Sequence, residues 1–263
     1  MKRIAGLLAA CILTFASPHT ASAAGGGEPQ GTPPSPRPEL RTAPDFLLKA
    51  PQAWLAMRGS LMVPRAGGDL FAFVTDQLTL GKSDFRTRGY AADLGIVLGS
   101  KIDLVVGTDI TGGSSSSEYR RFVTASRTAI AQTTEFRQKQ VSAGVRVSPF
   151  GRGRAISQYA FIPSRFAPYV GGGLTTAYYN FSQIGQFVDF KDLGIFNDQF
   201  ASDGWAAGPY VNGGVDVQLW KRLYLSLEGR YSWMQGGLDT DFSGFDGIDL
   251  AGFRGGTGIN IVF

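Results

Sequence analysis

LYLSLEGRYSWM, residues 223–234, alternates almost without a break. Leu223, Leu225, Leu227, Tyr231 and Trp233 fall on one face, and Ser226, Glu228, Arg230 and Ser232 on the other. Only an extended strand sends successive side chains to opposite sides, since helical faces recur every 3.6 residues. This stretch is therefore a strand with one apolar face and one face carrying full charges.

The same test finds strands on both sides of it. Leu55, Met57, Leu61 and Val63 oppose Ala56, Arg58 and Ser60; Leu94, Ile96 and Leu98 oppose Ala91, Asp93 and Gly95. Ile102, Leu104, Val106 and Ile110 oppose Asp103, Gly107 and Asp109, and Val141 to Val147 alternate with Ser142, Gly144 and Arg146. Val211, Val215, Val217 and Leu219 oppose Asn212, Gly214, Asp216 and Gln218, and Phe253, Ile259, Ile261 and Phe263 oppose Arg254, Gly256, Gly258 and Asn260. Ala167 to Phe181 reads as a strand whose faces are ambiguous, giving eight strands in all. Connections alternate in length. Gly99-Ser100 and Trp220-Lys221-Arg222 are tight turns, whereas Pro64–Arg88, Gly112–Thr133, Gln183–Asp203 and Gln235–Asp249 read as long loops at the opposite end. Pro149–Arg165 belongs on the short side yet is long, which extended strands or a small periplasmic flap would explain.

Period two allows the apolar face to point in, as in a soluble barrel, or out. The polar faces decide. They are rich in Gly, Ala and Ser, which a narrow eight-stranded lumen can hold. They also carry Asp93, Asp103, Asp109, Asp216 and Glu228 against Arg58, Arg146, Arg230 and Arg254. Enclosed together, such charges satisfy one another as a lumen network. In water, the apolar band would be an aggregating surface; in lipid it is required. The expected fold is all-β: an eight-stranded antiparallel up-and-down transmembrane β-barrel over residues 53–263.

The chain ends GINIVF, with nothing polar after Phe263. With the strand pattern, this ending resembles that of the small eight-stranded outer-membrane β-barrels of Gram-negative bacteria, of the OmpA/OmpX/OmpW-like type. Gly258, Ile261 and Phe263 match the C-terminal signature, whereas Gly256 stands where a polar residue is usual, and PYVGGGL (Pro168–Leu174) is a second, weaker likeness. The resemblance implies that the barrel-assembly machinery reads the last strand. It also implies outer-membrane lipids and lipopolysaccharide as surroundings.

Met1-Lys2-Arg3, the apolar run Ile4–Phe15 and Ala21-Ser22-Ala23 form an export signal over residues 1–23, with the mature chain starting near Ala24. The competing reading makes Leu8-Ala9-Ala10-Cys11 a lipoprotein box, but the apolar core runs on past Cys11. Residues 24–52, dense in Pro and Gly, read as a flexible periplasmic tether. After the signal, no run approaches the roughly 18–20 apolar residues of a spanning helix.

Cleavage removes Cys11 and His19, the sequence's one cysteine and one histidine, so neither a disulfide nor a histidine-assisted nucleophile is expected in the mature chain. Without Lys2 and Arg3 the net charge falls from +4 to +2, too mild to suggest nucleic acid. Ser114–Ser117 reads as a loop tip. Asp239–Asp246 begins like a calcium loop but places Leu250 where the twelfth-position acid belongs. Arg120, Arg121 and Arg127 read as solvated loop cations within reach of lipopolysaccharide phosphates.

No catalysis, cofactor or metal is expected, and the chain is expected to be a monomer. The functional expectation is a structural or surface-interaction role, with the lumen closed by its charge network. A small pore or carrier is one alternative, and a lipid-modifying enzyme a second. Intact-mass measurement of the exported protein should give a chain beginning at Ala24 with no acyl group; a diacylated chain beginning at Cys11 would show the lipoprotein reading to be right.

Overall fold

A computed structural model describes residues 47–263; the signal peptide read at 1–23 and the tether up to residue 46 lie outside the described residues. In chain order the elements are β1 (Ala53–Pro64), helix α1 (Gly68–Gln77), β2 (Thr87–Val97), β3 (Ile102–Val123), β4 (Ala129–Val147), β5 (Gly153–Ser157) and β6 (Ala160–Pro163). There follow β7 (Phe166–Val188), β8 (Ile195–Gln218), β9 (Leu223–Ser232), β10 (Gln235–Gly236), β11 (Ile248–Asp249) and β12 (Gly252–Val262). Eight of the strands close into a barrel in the order β1-β12-β9-β8-β7-β4-β3-β2, with every neighbouring pair antiparallel.

The last strand meets the first along its full length, from Trp54 opposite Val262 to Pro64 opposite Gly252. Phe263 completes the seam: its N–H donates to Ala53 O (2.8 Å) and its carbonyl accepts from Gln52 N–H (2.7 Å). Gly258 is required here, because any side chain on it would collide with the Met57 carbonyl. The apolar face points outward: Leu94, Val106, Val141, Val170, Val211 and Ile259 are each about half exposed, whereas Asp93, Arg146 and Asp216 are buried inside. In β7 the ambiguous faces resolve with Tyr169, Ala177 and Tyr179 buried inside and Val170 and Leu174 outside.

The strands differ in length. β3, β4, β7 and β8 are neighbours of 19 to 24 residues, whereas β1, β2, β9 and β12 have 10 to 12. About 9–11 tilted residues cross a bilayer, so the four long strands stand well beyond it as a half-cylinder wall. This corrects two of the loops read from sequence. Ser114–Ser117 sits in the ladder opposite Glu135–Gln132, and Gln183–Asp203 is mostly paired strand. Only tight turns at residues 124–128 and 189–194 remain, with Arg127 and Leu193 at positive φ. Above the membrane neither side of a strand meets lipid, so the alternation that marks a strand fades.

At the other end lie the tight turns and the β5–β6 hairpin, a small flap in place of extended strands in the long Pro149–Arg165 connection. The tether expectation needs correcting at its C-terminal boundary. Leu47 pairs with Phe161 in both directions (2.8 and 2.9 Å), and Gln52 O accepts from Val97 N–H (2.8 Å). Residues 47–52 are thus tied to the barrel mouth, with buried Leu47 supplying the apolar contact that Pro-rich composition concealed.

The seam sets an expectation. Unheated protein in detergent should run as a compact band that shifts on boiling. Gly258→Val, which forces a side chain against the β1 backbone, should lower stability by about 1–3 kcal/mol, read as an earlier loss of that band on a urea series.

Candidate functional site

The lumen is filled by charges in three tiers. Nearest the tight turns, Arg146 on β4 pairs with Asp216 on β8 (2.5 Å) and lies 3.9 Å from Asp103 on β3. Its guanidinium sits over the rings of Tyr169 (3.6 Å) and Trp54 (4.7 Å), a cation–π arrangement that supports the buried charge. Trp54 Nε1 donates to Asp103 (3.0 Å), and Asn260 donates to Asp216 (2.9 Å).

In the middle tier, Arg58 on β1 is paired with Asp93 on β2 and lies 3.5 Å from Glu228 on β9. Arg230 bridges the same two acids at 3.5 and 3.2 Å, donates to Ser142 Oγ (3.1 Å) and covers the Tyr210 ring at 4.6 Å. Glu228 also accepts from Tyr169 Oη (3.0 Å) and Asn212 Nδ2 (3.1 Å). Toward the long strands, Arg254 on β12 pairs with Asp109 (3.2 Å) and donates to Gln140 (3.1 Å).

All nine charged residues read from the alternation are thus brought together inside the barrel. The alternation missed a tenth. Arg152, in the connection ahead of β5, reaches back into the mouth and pairs with Asp103. Five acids then face five arginines, and no buried carboxylate of this set lacks a cation. Burial lowers the Arg152 pKa from its ordinary value, with Asp103 beside it offsetting only part of that, and an arginine still keeps its charge. Two signals in the sequence pointed to it: an acid in excess by one, and a connection too long for its side of the barrel. Between Arg152, Arg146, Trp54 and Phe161 a cavity of about 360 Å3 remains.

Apolar clusters lie at both ends of the charged stretch. Toward the long strands, Leu70, Phe71 and Val74 of α1 pack onto Phe136, Tyr179, Phe181, Ile248 and Leu250. Phe71 meets Phe85, Phe136 and Phe181 edge-on at 5.0, 6.3 and 6.1 Å. The apolar stretch Leu70–Val74 therefore covers the barrel mouth. At the other end, Leu47, Trp54, Ala56, Tyr224 and Val262 pack with Val97 and Phe161, several of them lining the cavity.

The loop residues have structural partners. Asp239 and Asp241 accept from the backbone N–H groups of Asp203 (2.9 Å) and Ala201 (3.1 Å), tying the loop to β8 rather than converging as calcium ligands. Arg121 pairs with Asp76 (3.2 Å) and Arg120 donates to Leu80 O (3.3 Å), whereas Arg127 occupies the β3–β4 turn. At the tip of the long wall Phe73, Phe122, Phe190 and Phe245 make edge-on and tilted contacts, with Phe73 and Phe190 exposed.

No protein-family model and no curated protein matches the chain. It is similar to solved structures of the outer membrane protein OprG from Pseudomonas aeruginosa (12% identity, 82% of this chain and 97% of that one, TM-score 0.48). It is also similar to Neisserial surface protein A (13%, 83% and 97%, 0.41) and the N-terminal β-barrel domain of Pseudomonas aeruginosa OprF (10%, 81% and 98%, 0.36). By its own geometry, with eight antiparallel strands closed edge to edge, an apolar wall outside and paired charges within, the chain has the fold of a small eight-stranded transmembrane β-barrel.

Proposed function

We propose that this protein is a non-conducting outer-membrane anchor that holds a rigid wall of four long strands at the cell surface for contact with external partners. The observation that carries the reading is the lumen, where five ion-paired arginines lie between two apolar layers. Opening a water path would require unstacking aromatic side chains and separating buried charge pairs. Each broken pair leaves a charge uncompensated in a low-dielectric space, at a cost of about 3–5 kcal/mol.

The proposed orientation places the tight turns, the β5–β6 hairpin and the N-terminal tether in the periplasm, and the long wall outside. Outer-membrane lipids and lipopolysaccharide surround the barrel, and the barrel-assembly machinery reads the strand ending in Phe263. The protein works as a monomer. Catalysis is not part of the proposal, so lipid A from cells with and without the protein should have the same mass spectrum.

Planar-bilayer recordings of the wild type should be silent; steady nanosiemens-scale steps would favour the pore reading instead. Arg230→Ala, which removes the bridge between Asp93 and Glu228, is the variant most apt to admit water and should raise any leak above wild type. Arg58→Ala should lower unfolding stability by about 3–5 kcal/mol, measured by urea titration of the heat-modifiable band.

A further inference from the structure

The outer wall carries a second charged feature that the closed lumen does not use. On β2 and β4 the first outward-facing charges beyond the apolar band are Arg88 and Lys139, and Arg137 follows on β4. The ladder sets them together: Arg88 lies opposite Gly112 of β3, Gly112 lies opposite Arg137, and Ile110, one outward position along β3, lies opposite Lys139. Arg88 and Arg137 are two strand spacings apart, about 10 Å at the backbone, a gap that two arginine side chains can close. Gly112 keeps the space between them open. A Cβ there would stand 3.3 Å from Arg137 Cγ, so the Arg137 stem already leans over the glycine toward Arg88.

Among the described residues neither Arg88 nor Lys139 has a carboxylate partner. Arg137 meets Glu135 at 3.0 Å but stays two-thirds exposed. Three cations at the edge of hydrocarbon thus have one acid between them.

Beside Arg88 the wall is indented. A groove of about 790 Å3 runs over β2, β1 and β12, floored by Gly59 and Gly255 and walled by Leu61, Tyr90 and Phe253. A Cβ at Gly59 would meet no atom within 4 Å, so close packing at that position does not require the glycine. Cations at the head of an apolar groove on a lipid-facing wall match an amphiphile with a phosphate at one end and acyl chains at the other.

We propose that this face is a binding site for a phosphorylated glycolipid of the outer leaflet, its phosphate held by Arg88, Arg137 and Lys139 and one acyl chain lying in the groove. The proposal rests on the orientation given above, in which this end of the barrel lies at the outer leaflet. It makes the anchor lipid-selective rather than merely lipid-soluble.

The test is native mass spectrometry of the full mature protein released from nanodiscs made with bis-phosphorylated lipid A, dephosphorylated lipid A or phosphatidylglycerol. Wild type should retain the bis-phosphorylated lipid at least about tenfold more than the other two. The triple variant R88Q/R137Q/K139Q should lose that preference, a change of the size expected from lost charge-assisted bonds. Gly59→Phe, which fills the groove and leaves the cations in place, should weaken retention of all three lipids. Equal retention by wild type and the triple variant would overturn the site. So would equal retention of phosphatidylglycerol, which would make it a general anion patch, or a mass corresponding to two chains that Gly59→Phe abolishes, which would give the groove to a second copy. Heat modifiability, run on every variant, reports the barrel separately: a wild type lacking it would refute the barrel reading, and a heat-modifiable protein without lipid preference would refute only the site.

Discussion

A sheet in hydrocarbon has no water with which to satisfy its edges. Every backbone N–H and C=O left unpaired there costs several kcal/mol, so the pairing of β12 with β1 is the contact on which the other features depend. It is made along the whole of both strands and finished by the main chain of Phe263. Once the cylinder is shut, each strand has one side in lipid and one side enclosed, and the sorting of side chains follows. Leucine, valine and isoleucine go out, and the arginines and carboxylates have no other place than the lumen.

Closure also explains why the lumen is so fully paired. An eight-stranded cylinder has room for side chains and little else, so a charge placed inside must find its counterpart across the barrel. Arg58 reaches Asp93 and Glu228, Arg146 reaches Asp216, and Arg254 reaches Asp109, each joining a different combination of strands. The hairpin at the turn end belongs to the same balance. Its Arg152 neutralises Asp103, and the Leu47–Phe161 pairing holds the preceding chain across that mouth. The result is a closed cylinder whose inner charges are paired from strand to strand, with the long wall of β3, β4, β7 and β8 standing on one side of it.

The outside of the molecule changes character along the strands. Within the membrane the outer face is apolar and interchangeable. Just beyond it the ladder brings Arg88, Arg137 and Lys139 into one neighbourhood, and at the tip the exposed phenylalanines form a separate feature. Surface chemistry varies along the strand axis because the solvent does.

How much of this was legible in the chain follows from the same physics. Where a strand lies between lipid and lumen, its two faces meet opposite solvents, and the contrast is written into every second residue. From Leu223 to Trp233, or from Ile102 to Ile110, the strand, its orientation and the inward set of charges could be read directly, and the C-terminal Phe263 marked the closing edge. Beyond the membrane both faces meet water or a mixed interior, so Ser114–Ser117 and Gln183–Asp203 looked like loops although the neighbouring strands hold them in register. The partner of each lumen charge, the recruitment of Arg152, and the placing of Arg88 and Arg137 on either side of Gly112 depend on which strands become neighbours. Where the two faces of a strand meet opposite solvents, the sequence by itself determined which way each side chain faces, because facing is set by local period; in Ala167–Phe181 and beyond the membrane it did not. Only the closed tertiary structure decided what each one meets, because strand order and register bring together residues that lie far apart in the chain.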